Sequence, residues 1–419
     1  MNYTDMLIDF YGEKEKKAEL REFFKGWGGV TKKEYESLAS VRKFQKEMGF
    51  KASLKRHYIF EKLHGESSKF CLMSSDWRSE VISCFNDMEF IEYYCDKNLY
   101  DIIVRTAQKP VTRLRCVTAS LYDEKYNSLE LEQIGSILEV DREYILKTSR
   151  TANGKGVLKV KAHDSFLTYG DNKVFYCDLV EKFGNDFLVQ DVIKQHSLIS
   201  NIHPESVNSL RMVTLRWQGE IHFVMAFLRV GAEGRANDNA GTGGLCVGVS
   251  DNGKLDNFAI DKALNCISIH PTTGYDFRRP VTIPNYETFK SFVINLHQDI
   301  PHHDFVSWDV AIGDDGLPVF IEHNFRGALW LYQLVTGLPL FRQFSQEIVD
   351  YLRDQKNNPS GRYLQSINYK RMQVSNKKSK KTIEARMRKF ASKIKSMVKN
   401  RLSRALYGQA FARRKNEKN

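Results

Sequence analysis

The 419-residue sequence predicts an α+β fold, on three observations. The β-branched and aromatic runs SLRMVTLRW, EIHFVMAFLRVG and GLCVGVSDNGKL read as successive strands of a mainly antiparallel sheet. A further pair, FVSWDVAI and PVFIEHN, flanks Gly313-Asp314-Asp315-Gly316, whose residues suit a tight reversal, and reads as a β-hairpin. Residues 1–68 instead carry charge and apolar steps of three and four, the pattern of helices.

The length leaves room for two or three subdomains and a sizeable core. No run of eighteen apolar residues occurs, so no transmembrane helix is expected. The N-terminus has acids within its first ten residues and no apolar signal core, which makes a cytoplasmic location the expectation. The seven cysteines are scattered without a CxxC pair, so neither a zinc site nor a disulfide framework is expected. The net charge of +12 belongs to the tail: Lys370 to Asn419 holds 18 Lys plus Arg against two Glu, leaving −4 over the first 369 residues. That distribution argues against a nucleic-acid-binding body.

Taken in order, KEYESLASVRKFQKEMGF reads as a helix after the Gly26-Trp27-Gly28-Gly29 break, with a packing role. Asp96 is a plausible cap for a helix through Leu99, Ile102 and Ile103. Lys97 beside it opposes the helix dipole, which suits a local anion or a solvated lysine. VTRLRCVTASLYD reads as a strand, and a short helix covers Leu129 to Leu138. REYILKTSRTANGKGVLKVKA has the form strand, glycine-containing loop, strand, with Lys147 ending the first strand. Glycines let backbone N–H groups meet an anion and lysine neutralises phosphate; the same pattern also fits a plain surface hairpin. No GK[ST] opens a helix, so this is not a Walker loop. NDFLVQDVIKQHSLI is a strand running into a polar corner. Arg211 and Arg229 lie inside apolar strands, where each must pair with a carboxylate or face an anion. Residues 265–284 read as an extended loop, Pro284 to Leu296 as a helix, and Gly327 to Tyr351 as an apolar helical closing segment.

If the hairpin loop is the four residues 313–316, Asp309 lies opposite Phe320 and Trp308 opposite Ile321. Asp309, Glu322 and Asn324 then share a face, the two carboxylates being diagonal neighbours roughly 7–8 Å apart at the backbone. Three hard oxygen ligands of this kind suit Mg²⁺. The opposite face (Val310, Ile312, Val319, Ile321) would supply the core. The alternative is the solvated outer face of an ordinary hairpin.

The order of these parts resembles an ATP-grasp protein, and more narrowly the sugar-transfer-associated ATP-grasp group related to the α-L-glutamate ligases. The matching stretches are SVNSLRMVTL, AFLRVGAEGRANDNAGTGG, HPTTGYDF, SWDVAI and IEHN, across roughly Lys69 to Phe341. The resemblance implies two α+β subdomains clasping ATP at 69–347, between the helical region 1–68 and a basic amphipathic tail at 348–419. It implies that Lys97 and Lys147 clasp the phosphates and that Gly154 and Gly156 belong to the loop closing over them. Gln190, Asp191, Val192 and Ile193 fall at the hinge that reads the adenine edge, with Gln195 near the ribose. Asp309, Glu322 and Asn324 match Mg²⁺ ligands, and Arg211, Arg229 and Asn239 match positions facing the acyl-phosphate and acceptor. Departures are His323 within the metal motif, Gly327 near a usual proline, and a VQDV hinge without the common glutamate.

The implied reaction is ATP-dependent joining of a small-molecule carboxylate and an amine through an acyl-phosphate, in a surface or capsular glycan context. A glycan-directed kinase and a non-catalytic ATP-binding module are the alternatives. In the tail, Ile383, Met387, Phe390, Ile394, Met397, Val398, Leu402 and Leu406 recur at helical steps among basic residues. Such a helix could lie on an anionic membrane, bind a polyanion, or pack on the body.

Overall fold

The computed structural model describes residues 2–65, 68–73, 78–151, 156–232 and 243–357, with Ala385, Met387 and Arg388 beyond them. Tyr363–Asn419 forms a unit separate from Met1–Arg362. The tail helix read at 370–419 otherwise lies outside the described residues.

Four helices open the chain: Tyr3–Tyr11, Lys17–Gly26, Lys32–Glu47 and Leu54–His64. The third starts at a capping box in which Thr31 and Glu34 exchange side-chain and backbone hydrogen bonds. Leu7, Ile8, Phe24, Leu38 and Tyr58 close their core. These helices support the helix Leu329–Thr336: the buried Gln333 amide pairs with both backbone groups of Leu72, and His64 meets Leu334 O.

The sheet that is smaller by residue count has eight short strands: β1 (Thr112–Val117), β2 (Ser120–Tyr122), β3 (Ser128–Leu129), β4 (Glu143–Thr148), β5 (Val157–Ala162), β6 (Phe166–Tyr169), β7 (Asn172–Phe175) and β8 (Phe187–Asp191). Their order is β3-β2-β1-β8-β4-β5-β6-β7, with antiparallel pairings throughout. The stretch read as one strand, VTRLRCVTASLYD, is folded into a hairpin at Thr118 and Ala119, both at positive φ (51° and 65°). Neither residue signals such a turn, so the pattern alone ran through it. Tyr144, Leu146 and Val189 face this sheet's core. The register puts Ile145, Lys147, Leu188 and Gln190 on the other face.

The larger sheet has seven strands: β9 (Ser209–Trp217), β10 (Glu220–Val230), β11 (Leu245–Val249), β12 (Ala259–Ile260), β13 (Cys266–Ile267), β14 (Phe305–Ile312) and β15 (Pro318–Asn324), in the order β13-β12-β11-β10-β9-β14-β15. One face packs on the helix Tyr286–His297 through Met212, Trp308, Val310 and Phe320. The closing segment is the helix Leu329–Thr336, a 3-10 turn and a helix Ser345–Asn357. That last helix crosses residue 348 without a break, and its Ile348, Val349 and Leu352 are buried, so the body extends past the sequence-based boundary at 347.

Candidate active site

The β14–β15 hairpin differs from the sequence reading in two places. Its loop takes five residues, Gly313 to Leu317, closed by the Gly313 N–H on Leu317 O (2.8 Å). Ile312 therefore faces Pro318, and Val310 faces Phe320. Between Asp309 and Val310 the register slips again, a β-bulge at Ile321, so Asp309 lies directly opposite Glu322 rather than diagonal to it. Phe320 and His323, not Val319 and Ile321, are buried with Val310 and Ile312. His323 Nε2 meets Tyr94 O, and burial holds its imidazole at a pKa of about 4, so it is neutral and structural.

Asp309, Glu322, Asn324 and Ser307 thus share one face, joined across β9 and β10 by Arg211 and Arg229. Asp309 is 2% exposed. Arg211 grips it with both arms, Nε on Oδ1 and Nη2 on Oδ2 (3.0 Å), and Arg229 Nη1 donates to Oδ2 (2.7 Å). Burial alone would raise this carboxyl's pKa, but the two guanidiniums overcome it and hold it down at about 2. The need for a partner, legible in the sequence for each arginine, is met by one shared carboxylate. Asn324 Nδ2 is 3.4 Å from both Asp309 Oδ2 and Glu322 Oε1.

This donor set fits a Mg²⁺ ion. Two carboxylate oxygens converge on one point, and a half-turn of the Asn324 amide would present its oxygen there as a third hard ligand.

Lys97 and Lys147 approach from the smaller sheet's side. Lys97 follows Asp96, whose carboxylate accepts from Asn98 N (3.1 Å) and is held by Ser149 and Arg150. Its Nζ donates to Thr151 O (2.8 Å) and stands 3.8 Å from Glu322 Oε2. It therefore ties the base of the glycine loop to the hairpin. Lys147 is half-buried; desolvation, with Lys97 adding repulsion and Glu322 opposing it, lowers its pKa to about 8. Gly156 sits at φ 72°, where an added Cβ would overlap the Thr148 hydroxyl, so the second strand can leave the loop only as glycine. Gly154 and Asn239 lie outside the described residues.

At the hinge, the Gln190 amide donates to Thr112 Oγ1 (2.9 Å). The Asp191 carboxylate is held by Arg113 (2.7 Å) and Arg142 (3.2 Å), and its N–H donates to Val111 O (3.0 Å). Val192 and Ile193 have left the strand and line a cleft of about 420 Å³ with Pro110, Leu317 and Val319. Gln195, which the resemblance places near a ribose, donates to Ser206 O (2.6 Å) and accepts from Asn208 N (2.8 Å). Both ends of its amide are taken within the fold.

Sequence reasoning missed Tyr332. It stands in LWLYQLVT, an apolar run that read only as packing. Its buried hydroxyl accepts from Arg211 Nη1 (2.9 Å) and donates to Ser307 Oγ (3.1 Å). A Cβ at residue 327 would overlap that hydroxyl, which accounts for glycine there.

The sequence model of the sugar-transfer associated ATP-grasp family matches residues 77–348. No curated protein matches. Among solved structures the chain is similar to the L-amino acid ligase from Bacillus licheniformis, at 12% identity and TM-score 0.34, over 63% of this chain and 49% of that one. It is similar to the D-alanine–D-alanine ligase from Bacillus anthracis, at 10% and 0.35, over 64% and 70%. It is also similar to the N5-carboxyaminoimidazole synthase from Aspergillus clavatus, at 10% and 0.33, over 58% and 47%. The chain spans about half the length of the first and third of these. The match of the family model over the region that holds both sheets decides the assignment: the chain has the ATP-grasp fold and belongs to the sugar-transfer associated ATP-grasp family.

Proposed function

We propose that the chain is an ATP- and Mg²⁺-dependent carboxylate–amine ligase. It would join an amino acid or similar amine to a sugar acid or amino sugar through an acyl-phosphate, in surface or capsular polysaccharide biosynthesis. The observation that carries this reading is the meeting of unlike groups on one sheet face. An all-oxygen donor set there adjoins two largely buried arginines, with two lysines approaching from the other sheet.

Each group has a distinct task. The adenine edge would be met by the backbone of Val192 and Ile193, since the Gln190 and Asp191 side chains and the Asp191 N–H are engaged within the fold. Lys97 and Lys147 would neutralise phosphate oxygens, and Lys147 is the more responsive because an adjacent anion reverses its desolvation penalty. Asp309, Glu322 and Asn324 would hold Mg²⁺, which when bound supplies positive charge to the phosphate oxygens as a Lewis acid. Arg211 and Arg229 would hold the substrate carboxylate and then the oxyanion formed when the amine attacks. Positioning and electrostatics suffice for this chemistry, with no side-chain nucleophile needed.

A cytoplasmic location with the basic tail, from residue 363 onward, on an anionic membrane face completes the reading. No helix among the described residues is long and apolar enough to cross a membrane. The test is ADP release screened over amino acids with uronic-acid and amino-sugar acceptors, with mass spectrometry of products. ADP plus an amide supports a ligase, ADP plus a phosphate ester a kinase. Absence of Mg·ATP binding would reject the site itself.

A further inference from the structure

The exit of β10 is fixed by buried side chains. Arg229 pairs with Ser209 and Cys246 in the ladders on either side, and Val230 pairs with Leu245 in the last rung. Gly231 follows, two residues past Arg229. Its N–H donates to Asn208 Oδ1 (3.3 Å), and its carbonyl accepts from His270 Nε2 (2.8 Å). Asn208 is itself fixed by its amide on Ile199 O and His203 O (3.0 and 2.9 Å). A Cβ at residue 231 would overlap Ser206 Oγ and crowd His203 Nδ1, so glycine lets the backbone press against this corner. His203, Ser206, Asn208 and His270 are each at most 2% exposed.

His270 can make its bonds in one form only. The Gly231 carbonyl accepts, so Nε2 carries the proton; the Thr272 and Thr273 N–H groups donate to Nδ1 (3.2 Å each), so that nitrogen is bare. Burial lowers its pKa against the opposing pull of the Gly231 carbonyl, with His203 adding repulsion, and the ring is neutral. One imidazole therefore gathers the turn 270–273 at Nδ1 and reaches across to β10 at Nε2. The Thr273 hydroxyl on Ile202 O (2.8 Å) ties the same turn to the corner. From this we infer that His270 is a positioning residue for Arg229: it fixes the backbone at Gly231, and with it the place at which the guanidinium meets the substrate anion. The 265–284 loop thus acts on the reaction through the backbone of β10. This rests on the task proposed above for Arg229. A displacement of about 1 Å at such a group costs about a hundredfold in rate.

The test separates the two ends of the ring in the full-length protein. His270→Asn puts an oxygen where Nδ1 stood, so it keeps the bonds from Thr272 and Thr273 but cannot reach Gly231. His270→Gln carries an amide N–H to the Nε2 position and keeps the Gly231 bond. The first readout needs no substrate: phenylglyoxal labelling of Arg229, by peptide mass spectrometry. Arg216, held by Asp304 and His297 O at the other end of β9, is the internal reference for global opening. His270→Asn should raise the labelling ratio at least about threefold, while His270→Gln stays within about twofold of wild type. The reverse order, or equal ratios for the two variants, would overturn the inference. Gly231→Ala covers the case in which His270→Asn does not fold. It leaves His270 intact and drives the backbone off Ser206, so the ratio should rise again, and an unchanged ratio would count against the role. The second readout is the substrate screen described above. His270→Asn should lower kcat/KM for the acidic substrate about tenfold or more with the Mg·ATP-induced thermal shift intact, and His270→Gln should restore it. Raised labelling with kcat/KM unchanged would make Gly231 a stability contact only and reject the positioning role. If wild type releases no ADP with any pair, the ligase reading fails, and the labelling ratio still decides whether His270 fixes Arg229.

Discussion

Lys147 gives opposite expectations for the free and the liganded protein. Its pKa falls from 10.5 to about 8 because the fold holds an ammonium in a poorly hydrated cleft beside Lys97. At about 1.4 kcal/mol per unit, the full shift corresponds to a cost of about 3 kcal/mol. Lys147 retains some contact with water, which screens the charge, so about 1–2 kcal/mol is the figure to expect. Lys147→Met keeps the stem and removes the charge, so the free protein should melt about 2–4 °C higher at pH 7. Between pH 8 and 10.5 the unfolded chain still binds a proton that the folded lysine has released, so wild-type stability rises with pH relative to the variant. The advantage of Met should therefore shrink from pH 7 to pH 10. With Mg·ATP the order reverses, since wild type gains a phosphate contact that Met cannot make, and wild-type affinity should fall as pH rises through about 8. Thermal unfolding with and without Mg·ATP at both pH values checks all of this. A variant that melts lower than wild type when free, or that keeps the full ligand-induced shift, would refute the reasoning.

Asp309→Asn and Glu322→Gln should both abolish the Mg·ATP-induced shift but differ in the free protein. The first removes the buried carboxylate that two guanidiniums share and should cost about 3–5 kcal/mol, whereas Glu322, whose nearest cation is Lys97 at 3.8 Å, should cost under about 1 kcal/mol; chemical denaturation of the free variants separates them. Gly327→Ala pushes a methyl into the Tyr332 hydroxyl and should destabilise by about 1–3 kcal/mol, measured by the same denaturation series. Removal of residues 363–419, a unit separate from the body, should leave the Mg·ATP shift intact and abolish flotation with anionic but not neutral vesicles. Equal flotation before and after truncation would reject a membrane role for the tail.

The hairpin shows how far the residue pattern reaches and where it stops. Apolar alternation identified the two strands, and the chemistry of Asp309, Glu322 and Asn324 set their shared face apart from the core, because carboxylates are not placed against a core without reason. Loop length was not legible: Gly313-Asp314-Asp315-Gly316 permits a four- or five-residue reversal, and the fold uses five. A five-residue loop in an unbroken ladder would face Asp309 to Ile321 and turn Glu322 into the core with Trp308. The bulge at Ile321 adds a second one-residue slip and returns Glu322 to the ligand face. Two unsignalled irregularities therefore cancel for Asp309, Glu322, Asn324 and the oppositely directed His323, while Phe320 replaces Val319 and Ile321 in the core. That cancellation is why the polar face was readable and the packing face was not. The same limit explains Tyr332, whose hydroxyl acquires a task only when the closing helix, packed over β10 and β11, brings it to Arg211 and Ser307. A pattern can report that Arg211 needs a carboxylate, but which oxygen it takes, and what else steadies it, is decided by residues 98 and 121 positions away.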